Sequence, residues 1–262
     1  MSPRIWVGLP EWEPARMSDL AARPVSGVTG LVLGDPFCPV RAFPGGVRDI
    51  LPLAAHAREL GWQVAYQTPV YLTERNFNET LDLISLLREQ LSLDLLLVHD
   101  VGLLRRLAQE QQGLTLCWSL WGMGRADMLS RDFLDFLREL GVALIETNKP
   151  HRVVPLQQYG FQVAYGLTKN PVVTFGRHCY TEYVSGDLCT KVSGNVPLCR
   201  DRHLNIVNSS QLRLQTDGYQ LINQEGSPMC TLADSADEYF IYARGEDEME
   251  EALNGLRDAT NV

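Results

Sequence analysis

Short apolar runs recur along the first two thirds of the chain, at Ile5–Leu9, Leu31–Leu33, Gln63–Gln67, Leu95–His99, Leu114–Trp118, Val142–Thr147 and Phe161–Gly166. Most are continuous rather than alternating. Strands covered on both faces read that way, so the pattern predicts a parallel sheet. Between the runs the period lengthens to that of a helix. Ile50, Leu53, Ala54, Ala57 and Leu60 mark one apolar face, which Gly61 is placed to end and in which Pro52 fits if it lies in the first turn. Leu81, Ile84, Leu87 and Leu91 mark a second helix beginning near Asn78, and Leu129, Phe133, Phe136, Leu137 and Leu140 a third, followed by Gly141. Strand–helix repeats with short connections imply right-handed crossovers, hence a barrel or an open doubly wound sheet. No G-x-G-x-x-G turn follows the first strand, so the open sheet lacks its dinucleotide-binding signature. The expected fold is α/β: a single TIM-like (β/α) barrel spanning residues 1–262, whether closed, incomplete or distorted.

Past Gly166 the helical stripes stop. Residues 169–202 read as a loop-rich segment with Cys179, Cys189 and Cys199, expected as an insertion over the barrel mouth. Short β-like runs follow at Leu204–Val207, Gln211–Gln215 and Tyr219–Ile222, with Tyr239–Tyr242 as the last barrel strand. An acidic helix from Glu246 to about Arg257 has early Glu and Asp residues that suit a helix N-terminus.

Composition narrows the function. A length of 262 residues suits one barrel. A net charge of -9 argues against free-standing nucleic-acid binding, which needs a basic face. No apolar run is long enough to span a bilayer. The opening Met1–Val7 shows no basic, apolar and small-residue succession of an export signal, so a cytoplasmic, reducing compartment is expected. There, six cysteines read as thiols or metal ligands rather than disulfides. Nine residues separate Cys179 from Cys189, nine separate Cys189 from Cys199 and thirty separate Cys199 from Cys230. These spacings match neither a zinc ribbon nor a compact ferredoxin run. Small buried apolar side chains are the alternative, and Cys117, inside an apolar run, fits that best. Cys179, Cys189 and Cys199 stand instead among Gly, Asp, Ser, Asn and Pro.

The stretch Gly176-Arg177-His178-Cys179-Tyr180, after Tyr165-Gly166, resembles the central motif of the collagenase-like (U-thirty-two) peptidase family, with His178 inserted before the cysteine. His99-Asp100-Val101-Gly102-Leu103-Leu104-Arg105 resembles that family's strand-to-helix element, and the order of strands and helices is similar to about residue 240. Leu33-Gly34 followed by Cys38 and Arg41 is most similar to the UbiV branch of the UbiU/UbiV proteins; UbiU-type members carry a further cysteine where this chain has Val172. The resemblance implies a 4Fe-4S cluster on Cys38, Cys179, Cys189 and Cys199, with Cys230 as an alternative fourth ligand. It also implies oxygen-independent hydroxylation of a small aromatic ring in quinone synthesis, beside a UbiU-like partner in a heterodimer. Two other readings are a non-catalytic cluster-bearing subunit serving such a partner, and prephenate-dependent hydroxylation of RNA bases.

No catalytic residue can be named from the sequence. Arg41 and Arg177 are candidates to offset cluster charge or bind a carboxylated substrate. His178, His99, Asn148 and Lys149 are further substrate-binding candidates, and Trp118 and Trp121 could stack on a ring. A peptidase, which the family's historical name suggests, is a further alternative that the residues do not favour, because neither G-x-S-x-G nor H-E-x-x-H is present.

Overall fold

The computed structural model describes residues 3–8, 14–22, 27–34, 47–70, 72, 74–110, 113–120, 129–168, 172–175, 192–193, 196–197, 205–207, 213–217, 220–223, 235–243 and 246–260. Eight parallel strands close into a TIM barrel. They are β1 (Arg4–Gly8), β2 (Val28–Leu33), β3 (Gln63–Gln67), β4 (Leu95–Val98), β5 (Thr115–Ser119), β6 (Val142–Thr147), β7 (Gln162–Leu167) and β14 (Glu238–Tyr242). Around the ring the order is β1, β14, β7, β6, β5, β4, β3, β2, so β14 closes the barrel between β7 and β1.

Between β7 and β14 the chain builds something else. The strands β8 (Val172–Phe175), β11 (Asn205–Val207), β12 (Arg213–Asp217) and β13 (Gln220–Asn223) form a four-stranded antiparallel sheet in the order β11, β12, β13, β8. The short β9 (Val192–Ser193) and β10 (Val196–Pro197) pair with each other. Within residues 169–202, read from the sequence as loop-rich, the described residues are those of β8, β9 and β10. The β-branched run of β8 finds its partner in β13, far along the chain, and a local pattern cannot reveal that pairing.

Seven helices occur among the described residues: α1 (Pro14–Ala22), α2 (Val47–Glu59), α3 (Glu74–Leu91), α4 (Val101–Glu110), α5 (Arg131–Glu139), α6 (Pro150–Gln158) and α7 (Glu246–Thr260). Their apolar faces bury against the outside of the ring: Leu83, Ile84 and Leu87 from α3, Leu103, Leu104 and Leu107 from α4, and Met249, Ala252 and Leu256 from α7. Ser130 caps α5 by accepting from the Phe133 N–H at 3.3 Å. Gly61 and Gly141 take φ of 77° and 76° and end their helices as expected. Pro52, expected in a first turn, lies deeper inside α2, where it faces solvent rather than the core.

A second core fills the ring. Trp6, Val32, Ala65, Leu97, Cys117, Leu144, Ala164 and Phe240 share the inward strand phase and pack together. Trp6 occupies the space over Gly30, where a Cβ would fall 2.3 Å from its ring. The side-chain period of two thus sets what enters the barrel, and Trp118, one residue past Cys117, faces out to the helix layer against Phe133.

Candidate functional site

Counting along the inward phase toward the carboxyl ends of the strands leads from apolar to polar residues. On β4 the series Leu95, Leu97 reaches His99; on β5 Cys117 leads to Ser119; on β6 Leu144 leads to Glu146; on β3 Ala65 leads to Gln67; on β14 Phe240 leads to Tyr242. The polar group therefore sits at the end of the barrel where TIM-barrel enzymes keep their chemistry.

These side chains form one chain of contacts across the ring. The Tyr242 hydroxyl donates to Glu146 Oε1 at 2.6 Å. Gln67 Nε2 lies 3.4 Å from the Tyr242 oxygen and 3.4 Å from His99 Nε2. An amide nitrogen only donates, so His99 Nε2 is the acceptor and the neutral ring carries its proton on Nδ1. Burial agrees, lowering the His99 pKa to about 3, opposed less strongly by the Thr68 backbone carbonyl, which faces a ring N–H as acceptor. The backbone N–H of His99 in turn donates to Thr68 Oγ1 at 3.3 Å.

Glu146 is fully buried, and burial pushes its carboxyl up to about 7, while hydrogen bonds from Ser119 and Tyr242 pull less strongly downward. A carboxyl with that pKa carries its proton about half the time at neutrality, the condition for a general acid or base. Its Oε2 and the Nδ1 of His99 are enclosed without a hydrogen-bond partner. Tyr242 is raised well above the phenol range by burial and by the adjacent Glu146, so it acts as a hydrogen-bond donor and not as a base. Cys117, one layer deeper, is likewise raised by burial and by Glu146 and Glu238, which keeps it a thiol.

Of the residues expected from the sequence, the structure brings only His99 into this group. Asn148 is half-buried just past β6, its carbonyl accepting from the Tyr165 hydroxyl at 3.4 Å. Lys149 is exposed at the N-cap of α6 and makes no side-chain cap there. Asp100 serves the fold, because its Oδ1 accepts from the Leu103 N–H at 2.8 Å and so caps α4. Gly102 suits that cap, since a Cβ there would stand 3.1 Å from Asp100 Oδ1. Trp118, expected as a stacking surface, is on the outward phase and packs instead. Cys38, Cys179, Cys189, Cys199, Cys230, Arg41, Arg177, His178 and Trp121 lie outside the described residues. Among the described residues no group of three or more His, Cys, Asp or Glu side chains could hold a metal ion, and no helix is long and apolar enough to cross a membrane.

No family model and no curated protein matches this chain. Solved structures similar to it include a thiamine phosphate pyrophosphorylase from Pyrococcus furiosus, at 10% identity and a TM-score of 0.48, covering 98% of this chain and 95% of that one. A deoxyribose phosphate aldolase from Aeropyrum pernix is similar at 16% identity and a TM-score of 0.44, over 62% of this chain and 75% of that one. A mandelate racemase/muconate lactonizing protein from Herpetosiphon aurantiacus is similar at 9% identity and a TM-score of 0.43, over 63% of this chain. There the match spans about half, 47%, of the other protein. Likeness at this level carries no functional argument, and the barrel rests on its own strand order.

Sequence reasoning missed Glu146, Tyr242 and Gln67. The signal for Glu146 was present: an ionisable residue inside the apolar run of β6, two positions after Leu144 and therefore on its face. Tyr242 and Gln67 carry no such mark, because Tyr and Gln at strand ends are common, and the closure of β14 against β1 and β7 is what brings Tyr242 to Glu146.

Proposed function

We propose that this chain is an iron–sulfur protein of an oxygen-independent system that hydroxylates a small aromatic ring, working in the cytoplasm beside a homologous, UbiU-like partner. One observation supports it most. The chain leaves the carboxyl end of β2 toward Cys38 and the carboxyl end of β7 toward Cys179, and in the ring these strands are separated only by β1 and β14. All eight strands are parallel, so both exits open on the end that holds Glu146 and His99. Cys38 follows Leu33, the last residue of β2, by five positions in the sequence. At Gly34, where φ is 97°, the chain passes over β3, and a Cβ would meet the Gln67 carbonyl oxygen at 2.3 Å.

The donor chemistry fits a cluster. Cys38, Cys179, Cys189 and Cys199, with Cys230 as the substitute, are soft thiolates of the kind that hold iron–sulfur centres in preference to hard cations. Cys117 does not join them, because it is enclosed in the inner core and held as a thiol. A bound cluster would supply electron transfer at the barrel mouth. The described residues would do the rest: Glu146 takes or returns a proton at its carboxyl, Tyr242 fixes that carboxyl through Oε1, and neutral His99 offers a hydrogen bond rather than a charge.

Anaerobic purification with iron and sulfide analysis tests the reading. Iron and sulfide should be lost in Cys38→Ala and Cys179→Ala and retained in Cys117→Ala, while Cys189→Ala and Cys230→Ala separate the third ligand from its substitute. Retention in Cys38→Ala with loss in Cys117→Ala would overturn the assignment. Turnover by the loaded chain alone would remove the need for a partner.

A further inference from the structure

The inward-facing residues at the carboxyl end of the ring form a polar group whose two terminal atoms have no hydrogen-bond partner. His99 is 7% exposed and Glu146 0% exposed, yet among the described residues Glu146 Oε2 has no hydrogen-bond partner and His99 Nδ1 has none of ordinary geometry, the Thr68 carbonyl being only a loose neighbour of the ring. An unmade hydrogen bond at a buried polar atom costs about 1–3 kcal/mol, so the arrangement is retained at a cost. The other end of the barrel interior shows that this sequence can satisfy such atoms. Glu238 accepts from Arg4 through one oxygen and from Trp6 Nε1 at 2.7 Å through the other.

We propose that this end of the barrel binds a small neutral molecule bearing a hydroxyl group, with the hydroxyl donating to Glu146 Oε2 and His99 Nδ1–H donating to an oxygen of the same molecule. The polarity of the two atoms selects the chemistry. Oε2 can only accept when Glu146 is ionised, and Nδ1–H can only donate, so the ligand must present both a donor and an acceptor, as a hydroxyl does. Charge selects against anions. Among the described residues on the inward phase the one permanently charged cation is Arg4, at the opposite end and joined to Glu238. A carboxylate placed beside Glu146 would meet repulsion with no counter-charge from these residues. Tyr242 and Gln67 act as positioning residues, since Tyr242 occupies Oε1 and leaves Oε2 as the atom that meets the ligand.

The site is the one that the hydroxylation reading uses, but binding here needs none of the proposed thiolate ligands. The iron content of Glu146→Gln should equal that of the parent chain, so failure of one reading is distinguishable from failure of the other.

Phenol is the probe and benzoate its anionic counterpart. Titration calorimetry should show phenol binding to the full chain, with affinity falling about tenfold or more in Glu146→Gln and in His99→Leu, as expected when a hydrogen bond to a buried charged or polar group is lost. Benzoate should bind about tenfold or more weakly than phenol. The parent chain supplies a measurement that needs no variant: because a hydroxyl donating to Oε2 selects the ionised carboxylate, the infrared band of the protonated Glu146 carboxyl should weaken at neutral pH when phenol is added. Unchanged phenol affinity in both variants, benzoate binding equal to phenol, absence of phenol binding, or a carboxyl band of undiminished intensity would each overturn the proposal.

Discussion

Among the described residues the barrel interior holds one buried carboxylate near each end, Glu238 and Glu146, and the two are treated differently. At the amino end Glu238 has both oxygens occupied, by Arg4 and by the Trp6 indole, and Trp6 stacks on Phe240 with ring centroids 5.9 Å apart. At the carboxyl end Glu146 has one oxygen occupied, by Tyr242, and one left bare. Burial raises both carboxyls, but at Glu238 the charge of Arg4 opposes the rise, whereas no cation is among the influences on Glu146. The first arrangement stabilises the closure of β14 against β1; the second holds a proton in an enclosed place near neutral pH. A buried carboxylate is thus structural or chemical according to what its second oxygen meets.

The contrast can be broken at the amino end first. Trp6→Ala removes a fully buried indole from the inner core and leaves Glu238 Oε2 without its donor, so unfolding in denaturant should show a loss of about 3–5 kcal/mol. Phenol binding by the folded fraction should persist. A loss below about 1 kcal/mol would mean that the amino-end plug is not structural.

Glu146→Gln probes the other end, with a smaller effect of opposite sign. The folded pKa of Glu146 is raised from 4.5 to about 7, so its contribution is fully present below about pH 4.5 and is lost as pH rises through about 7. Ionising it in the folded protein costs on the order of 3 kcal/mol, and the Gln variant should exceed the parent chain in stability at pH 8 by up to that amount. His99 runs the other way: its folded pKa is lowered from 6.5 to about 3, so its contribution is present above 6.5 and is lost as pH falls toward 3. Between pH 4.5 and 6.5 the two slopes oppose. Removing Glu146 should uncover the His99 slope, a rise of about 1.4 kcal/mol per pH unit across that window. Melts at closely spaced pH values would show it, and a flat profile in Glu146→Gln would contradict the neutral, buried His99.

The smallest effect concerns the neighbouring carboxylate at the same end. Asp100 caps α4, so Asp100→Ala should cost about 1 kcal/mol with phenol affinity unchanged, readable from denaturant midpoints and calorimetry together. A large loss of phenol affinity would place Asp100 in the site.

Much of this barrel was legible in the sequence because its strands are buried on both faces. The continuous apolar runs of β2, β4 and β6 name themselves, and the stripes of α3 and α5 are wide enough to set a period. Other elements resist. α6 contains Pro150 and Pro155 and buries only Val153 and Leu156, so neither propensity nor period marks it. β8 is specified by its pairing with β13 and not by its own pattern. At the site, His99 was readable as a polar residue ending an apolar strand. Glu146 needed a further step, the assignment of strand phase from Leu144, and the same step places Trp118 outside the ring. Tyr242 depended on closure of the barrel, a relation between strands more than two hundred residues apart that no local reading supplies.

The most direct test is an infrared titration of the buried carboxyl band in the parent chain, with Glu146→Gln as the reference that removes it. The band should disappear with a midpoint near pH 7, where burial places Glu146. A midpoint at the ordinary 4.5 would contradict the account, because Glu146 would then be solvated and ionised at neutrality, and the two ends of the barrel would not differ in kind.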